Sequence, residues 1–202
     1  MSGTSAQLTA VTCVYWMHRY NFEPRTILNI GIGKTCPELA IWQWLLPNAQ
    51  ILGVDPRWSP RGNWSRGGAK QLKVGVGDGT KPTATYCGDC RSVKCENPAH
   101  TAHKSTATMT TIDQIVADEK LQPPFFIWMD IDGGEIDAIH GAKLTLPHAG
   151  YMNVEFCDHK QIPEHREQLH LLLNAHSFVL MYDHKAVSQD RLYRNRRFKM
   201  PK

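Results

Sequence analysis

Apolar residues run almost unbroken from Thr26 to Ile32 and from Phe125 to Ile131. That is the pattern of strands covered on both faces of a sheet, not of strands with one face in water. Shorter runs of the same kind predict strands at Gln50–Val54, Gln71–Val76 and Tyr151–Phe156. Between them the apolar positions recur with helical spacing. A partly amphipathic helix is expected over Leu8–Tyr20, and a second over Pro37–Leu46, where Pro37 suits a first turn. A third is expected over Ile112–Lys120, opened by Thr110 or Thr111 with Asp113 and ended by Pro123-Pro124. Glu135–Leu146 puts Ile136, Ile139, Ala142 and Leu146 on one face, with Pro147 and Gly150 as stops, and Pro163–Ala175 turns Leu169, Leu172 and Leu173 inward. Phe178–Tyr182 and Arg191–Arg194 suit a closing antiparallel pair. Strands alternating with helices predict an α/β protein built of βαβ units on a largely parallel sheet.

Composition narrows this only slightly. At 202 residues, with 42% hydrophobic and 21% charged residues, the chain reads as one globular domain over 1–202. The net charge of +4 is unevenly placed. Arg191, Arg194, Arg196, Arg197, Lys199 and Lys202 crowd the C-terminus, and Arg57, Arg61, Arg66 and Lys70 share a segment with Trp58 and Trp64. Both clusters read as solvated surface or as contacts for an anionic substrate or RNA backbone. No apolar run approaches the roughly 20 residues that span a bilayer. The opening segment lacks a basic n-region and a small-residue cleavage site, so a cytoplasmic protein is expected.

Chemistry concentrates at the predicted strand ends, where open α/β sheets bind ligands. Thr26-Ile27-Leu28-Asn29-Ile30-Gly31-Ile32-Gly33 is a strand running into a glycine turn, and Asp55 closes the next strand 22 residues after Gly33. A carboxylate there can accept both hydroxyls of a ribose. Gly31 and Gly33 leave room for a ligand to approach the backbone. A nicotinamide-type fingerprint wants a third glycine near Cys36; its absence disfavours a pyrophosphate and suits S-adenosylmethionine, which has no phosphate. Asp78, in Gly77-Asp78-Gly79, is either a partner for an adenine amino group or an ordinary Asp-Gly turn. The strand Phe125–Ile131 delivers Asp130, Asp132 and Glu135, and Glu155 closes the strand after it. In a continuing strand Asp130 and Asp132 point to one side and can share a proton, a substrate hydroxyl or a divalent cation such as Mg²⁺ or Ca²⁺. Glu135 is either catalytic or a first-turn complement to its own helix dipole. His140 and His159 are weaker candidate bases.

Thr111-Ile112-Asp113-Gln114-Ile115, then Trp128-Met129-Asp130-Ile131-Asp132-Gly133-Gly134-Glu135, Ile139-His140-Gly141-Ala142 and Asn153-Val154-Glu155 together resemble the FkbM family of S-adenosylmethionine-dependent methyltransferases. The resemblance runs from about Thr26 to Arg197. It implies a Rossmann-like methyltransferase fold with a mostly parallel seven-stranded sheet and helices on both faces. It also implies methyl transfer to oxygen on a sugar, secondary metabolite or related small-molecule acceptor. Asn29, Gly31, Gly33, Asp55 and Asp78 would then meet the cofactor, and Asp130, Asp132, Glu135 and Glu155 the acceptor. The chain departs from the pattern at Asn29, where Asp is more common, at Met129 in place of Lys, at Asp132 in place of Glu and at Gly134 in place of Ala.

One segment stands apart. Cys87-x2-Cys90-x4-Cys95-x4-His100, with His103 in reserve, offers tetrahedral ligand chemistry within a loop-forming insertion over 84–104. It suits structural Zn²⁺, with a disulfide as the competing reading. With the Arg/Trp segment it also keeps two other functions in view: an RNA 2′-hydroxyl or cap-type methyltransferase, and a non-catalytic zinc-stapled binding module.

Overall fold

The apolar runs form the core strands in a computed structural model, which describes residues 3–33, 36–57, 69–87, 104–156, 163–184 and 189–199. Strands β1 (Thr26–Ile30), β2 (Gln50–Val54), β7 (Phe125–Met129) and β8 (Ala149–Glu155) make the centre of a sheet. With β3 (Lys70–Leu72), β9 (Phe178–Asp183) and β10 (Asp190–Asn195) it becomes seven-stranded, in the order β3-β2-β1-β7-β8-β10-β9. The pairs β3/β2, β2/β1, β1/β7 and β7/β8 are parallel. Strand β10 runs antiparallel to both β8 and β9, which is the expected closing pair. This is a Rossmann-like α/β architecture.

Alternation of side chains across the sheet divides the core. On one face Leu28, Ile30, Ile127, Met129, Met152 and Val154 pack under helices α3 (Ile112–Asp118), α4 (Glu135–His140) and α5 (Pro163–Ala175). On the other, Ile27, Ile51, Phe126, Trp128 and Tyr151 meet α1 (Gly3–Arg19) and α2 (Glu38–Leu45). Trp42 of α2 stacks edge-on against both Phe126 and Trp128. Among the described residues no helix is long and apolar enough to cross a membrane.

The structure corrects several boundaries. Strand β1 stops at Ile30 and β7 at Met129, so Gly31–Ile32 and Asp130–Ile131 belong to turns. The expected strand Gln71–Val76 is two strands, β3 in the main sheet and β4 (Gly75–Val76) in a second one. The helix expected over Glu135–Leu146 ends at His140, before the C-cap Gly141, and a 3₁₀ turn at Leu146–His148 follows. The segment 84–104, expected to form loop, begins and ends in strands: β5 (Thr83–Cys87) pairs antiparallel with β6 (Lys104–Thr110), and β4 completes a three-stranded sheet. These strands are threonine-rich, and their alternation of Thr with Ala84, Ala107 and Met109 is too mildly apolar to stand out beside the core runs.

Two motif elements prove to hold the fold. Thr111 caps α3 by accepting from the Gln114 amide at 3.0 Å. Asp113 accepts from the amides of Leu144 and Thr145 and from the Thr145 hydroxyl, tying α3 to the turn beyond α4. Gly141 lets that turn lie against another backbone: a Cβ there would stand 2.1 Å from the Gly77 carbonyl oxygen.

Candidate active site

The carboxyl ends of β1, β2, β7 and β8 meet on one edge of the sheet. Gly31 follows β1 with φ of 92°, and a Cβ there would lie 1.7 Å from the Asp130 carbonyl oxygen. The exit of β1 is therefore pressed against the exit of β7, and the Asp130 amide donates to the Ile30 carbonyl at 2.9 Å. Gly33 also has positive φ, 58°, but its Cβ direction is open space. Its amide donates to Asp55 at 2.9 Å, while the other Asp55 oxygen accepts from the Arg57 amide at 2.7 Å. Asp55 thus braces the glycine turn from the end of β2. Among the described residues each carboxylate oxygen accepts one hydrogen bond, which leaves it a second lone pair for a ligand.

Asn29 does not face outward. It is fully buried, and its amide nitrogen donates to Glu38 at 3.0 Å and to the Cys36 sulfur at 3.1 Å. Glu38, in the first turn of α2, is a buried acid beside Asn29 that the sequence does not single out. The available signal is an acid just after Pro37, which looks like any helix-start carboxylate.

Asp130, Asp132 and Glu155 offer oxygens that all lie within 4.8 Å of one another. The reason differs from the expected one. Asp132 lies beyond the strand in a left-handed turn, φ 51°, which brings it back to Asp130. Burial, above all, lifts the Asp130 carboxyl well above the usual carboxylate range; a hydrogen bond with Glu155 and the charges of Glu155, Asp132 and Glu38 add to it. Burial raises Glu155 as well. Beside Glu155, its register partner Asp190 is fully buried and accepts from Asn153 at 2.9 Å.

Glu135 sits differently. Both its oxygens accept from the Gly133 amide and one from Ile131, so the side chain folds back over its own turn as a backbone brace. Burial pushes it up to about 7 against those bonds. The folded state therefore holds a proton that the unfolded chain releases near pH 4, and this group's contribution to stability falls as pH rises from about 4 to about 7. Replacing Glu135 by Ala leaves the buried Gly133 amide without its acceptor and is expected to lower stability by about 1–3 kcal/mol in denaturant melts. Glu135→Gln keeps an acceptor and has no charge to bury, so it should match or exceed the wild type above pH 7.

Asp78 is exposed and accepts from both the amide and the hydroxyl of Thr80, an Asp-Gly turn that lowers its own pKa. It nonetheless lines a cleft of about 510 Å³ with Gly77, Thr80, Gly133, Gly134 and Asp137, on the side of the sheet edge facing β5. His140 is exposed at the end of α4. Cys87 ends β5, register-paired with Lys104, while Cys90, Cys95, His100, His103 and His159 lie outside the described residues, as do Trp58, Arg61, Trp64, Arg66 and Lys202. Several basic side chains have partners in the fold: Arg57 leans on Asp55, Lys70 bonds Glu119, Arg191 stacks on Phe156 and bonds Asp183, and Arg194 lies over Tyr20.

A profile of the methyltransferase FkbM domain matches residues 18–194. No curated protein matches the chain by sequence. Among solved structures the fold resembles the MycE methyltransferase from the mycinamycin biosynthetic pathway, in a complex with Mg, S-adenosylhomocysteine and mycinamycin VI. The TM-score is 0.51 at 15% identity, over 93% of this chain and 50% of that one. It also resembles the plantazolicin methyltransferase BpumL bound to S-adenosylhomocysteine, with TM-score 0.48, 11% identity, and 96% and 85% of the two chains covered. The chain thus spans about half the length of MycE and most of BpumL.

Proposed function

This chain belongs to the FkbM methyltransferase family, and we propose that it transfers the methyl group of S-adenosylmethionine to a hydroxyl of a sugar or small metabolite. The observation that carries the oxygen acceptor is the carboxylate group Asp130, Asp132 and Glu155, gathered within 4.8 Å where β7 and β8 end. When bound, the cofactor supplies an electrophilic methyl on a sulfonium. The chain has to bring an acceptor oxygen into line and take its proton. Asp130 is the base in this reading, with Glu155 as its hydrogen-bond partner and Asp132 orienting the acceptor.

The residues present fit the cofactor. Gly33 leaves an open cradle at a left-handed turn, and Asp55 beside it retains lone pairs for the ribose hydroxyls. Asp78, which lines the cleft, would meet the adenine edge in this reading. The same three carboxylates have the oxygen-only donor set that Mg²⁺ or Ca²⁺ takes. The Cys87, Cys90, Cys95 and His100 spacing supports a structural zinc, whose two flanks β5 and β6 hold together.

Calorimetric titration of S-adenosylmethionine and S-adenosylhomocysteine tests the reading, with elemental analysis of the same sample for zinc. One-to-one binding of both cofactor forms is expected, followed by methyl transfer in a screen of hydroxylated acceptors. Repeating the transfer with a chelator separates metal-assisted from metal-free chemistry. No binding at millimolar ligand would overturn the cofactor assignment, and binding without transfer to any acceptor would favour a non-catalytic module.

A further inference from the structure

Glu38 is a buried acid that the proposed chemistry leaves unused. It is 5% exposed, and taking a carboxylate out of water is costly unless it is paired with a cation or fully hydrogen-bonded. Among the described residues its partners are neutral: the Asn29 amide at 3.0 Å and the Cys36 thiol at 2.9 Å, the latter a weak donor. The charge that Glu38 works on is of the same sign, that of Asp130. A second observation points the same way. Asn29 is fully buried, and its carbonyl oxygen accepts no hydrogen bond among the described residues. The orientation of that amide is fixed, because only its nitrogen can face a carboxylate and a sulfur together. The start of α2 and the end of β1 therefore present two buried acceptors, one of them anionic. Asn29 stands near the exit of β1, two residues before Gly31, and Glu38 meets it from the start of α2.

We propose that Glu38, held at the start of α2 by Asn29 and Cys36, is the anionic anchor for the cofactor's α-ammonium group. The inference rests on the cofactor assignment above and adds a residue to it. An ammonium brings three N–H donors and a full positive charge, matching an anionic and a neutral acceptor. A sulfonium has no hydrogen to donate. A divalent cation needs more oxygens than one carboxylate and one amide provide. Glu38 would thereby supply from the helix the charge that the strand lacks at position 29, where the family pattern more often has Asp.

The test is a ligand-by-protein cycle. S-adenosylhomocysteine and its deaminated analogue, in which hydrogen replaces the α-amino group, are titrated into wild type, Glu38→Gln and the double variant Asn29→Asp/Glu38→Gln. Wild type should prefer the ammonium-bearing ligand by roughly 10- to 100-fold, the usual worth of a charge-assisted hydrogen bond. Glu38→Gln should abolish that preference while binding the deaminated analogue within about twofold of wild type. The double variant, with its carboxylate moved to the strand, should recover much of the preference. Equal weakening of both ligands by Glu38→Gln, or an unchanged preference, would overturn the assignment and leave Glu38 a structural cap. Should Glu38→Gln not fold, the wild-type comparison decides alone: a preference below about threefold is too small for a buried ion pair. Failure of wild type to bind either ligand sinks the cofactor assignment itself, so the two failures are told apart.

Discussion

Asp130→Asn should lower methyl transfer by roughly 10²- to 10⁴-fold, the usual contribution of a general base, and leave S-adenosylhomocysteine affinity nearly unchanged. The carboxylate is isosteric with the amide, and an amide can still donate to Glu155, so the packing survives and only the proton acceptor is lost. The wild-type pH profile carries the same information. Burial and the neighbouring Glu155, Asp132 and Glu38 hold the Asp130 proton well above the usual carboxylate range. A base must be ionised to act, so kcat/KM should rise with pH along an acid limb whose midpoint lies above the ordinary value of about 4. Positive charge on a bound cofactor favours the ionised form, so the limb for kcat should lie below that for kcat/KM. Full turnover by Asp130→Asn would remove this residue from the mechanism.

Stability should move the opposite way. Because the folded pKa of Asp130 is raised, the folded protein retains a proton that the unfolded chain has lost. The stabilisation is complete below about pH 4 and disappears as pH rises through the folded pKa. The amide of the Asp130→Asn variant has no charge to bury, so that protein should melt above wild type at pH 8 and converge with it toward acid. Loss of activity with gain in melting temperature marks a group kept for chemistry, since a merely structural residue would lose both.

Gly31→Ala should be the most damaging single-methyl change at the sheet edge. The new Cβ would stand 1.7 Å from the Asp130 carbonyl oxygen, on a backbone with φ of 92°. Neither atom belongs to a flexible side chain, so β1 and β7 must part at their exits. A left-handed penalty and backbone displacement together amount to roughly 3 kcal/mol or more. For a chain of this size that lowers the melting temperature by roughly 10 °C, and cofactor affinity should fall with it. Gly33→Ala is the control. Its φ of 58° is also left-handed, but its Cβ meets nothing within 4 Å, so only the conformational penalty of about 1–2 kcal/mol is expected. Equal melting temperatures for the two variants would show that the contact between the β1 and β7 exits is unimportant.

The sequence by itself determined the layers and the edge on which the chemistry lies. Near-continuous apolar runs at Thr26–Ile30 and Phe125–Met129 can be satisfied only by a sheet covered on both sides, and an acid or glycine placed directly after such a run must fall at a strand's carboxyl end. Asp55, Asp130 and Glu155 were legible for that reason. What the tertiary structure decided is which polar groups face one another, because that depends on contacts between segments far apart in the chain. Asp132 reaches Asp130 through a left-handed turn that no strand periodicity encodes. Glu135 carries the same charge as its neighbours yet is spent on its own backbone. Asn29 and Glu38, on a strand and a helix that local pattern treats separately, become one buried pair. The threonine-rich strands β5 and β6 pair with each other along their length, and their alternation of Thr with small or single apolar residues is too weak by itself to announce that pairing.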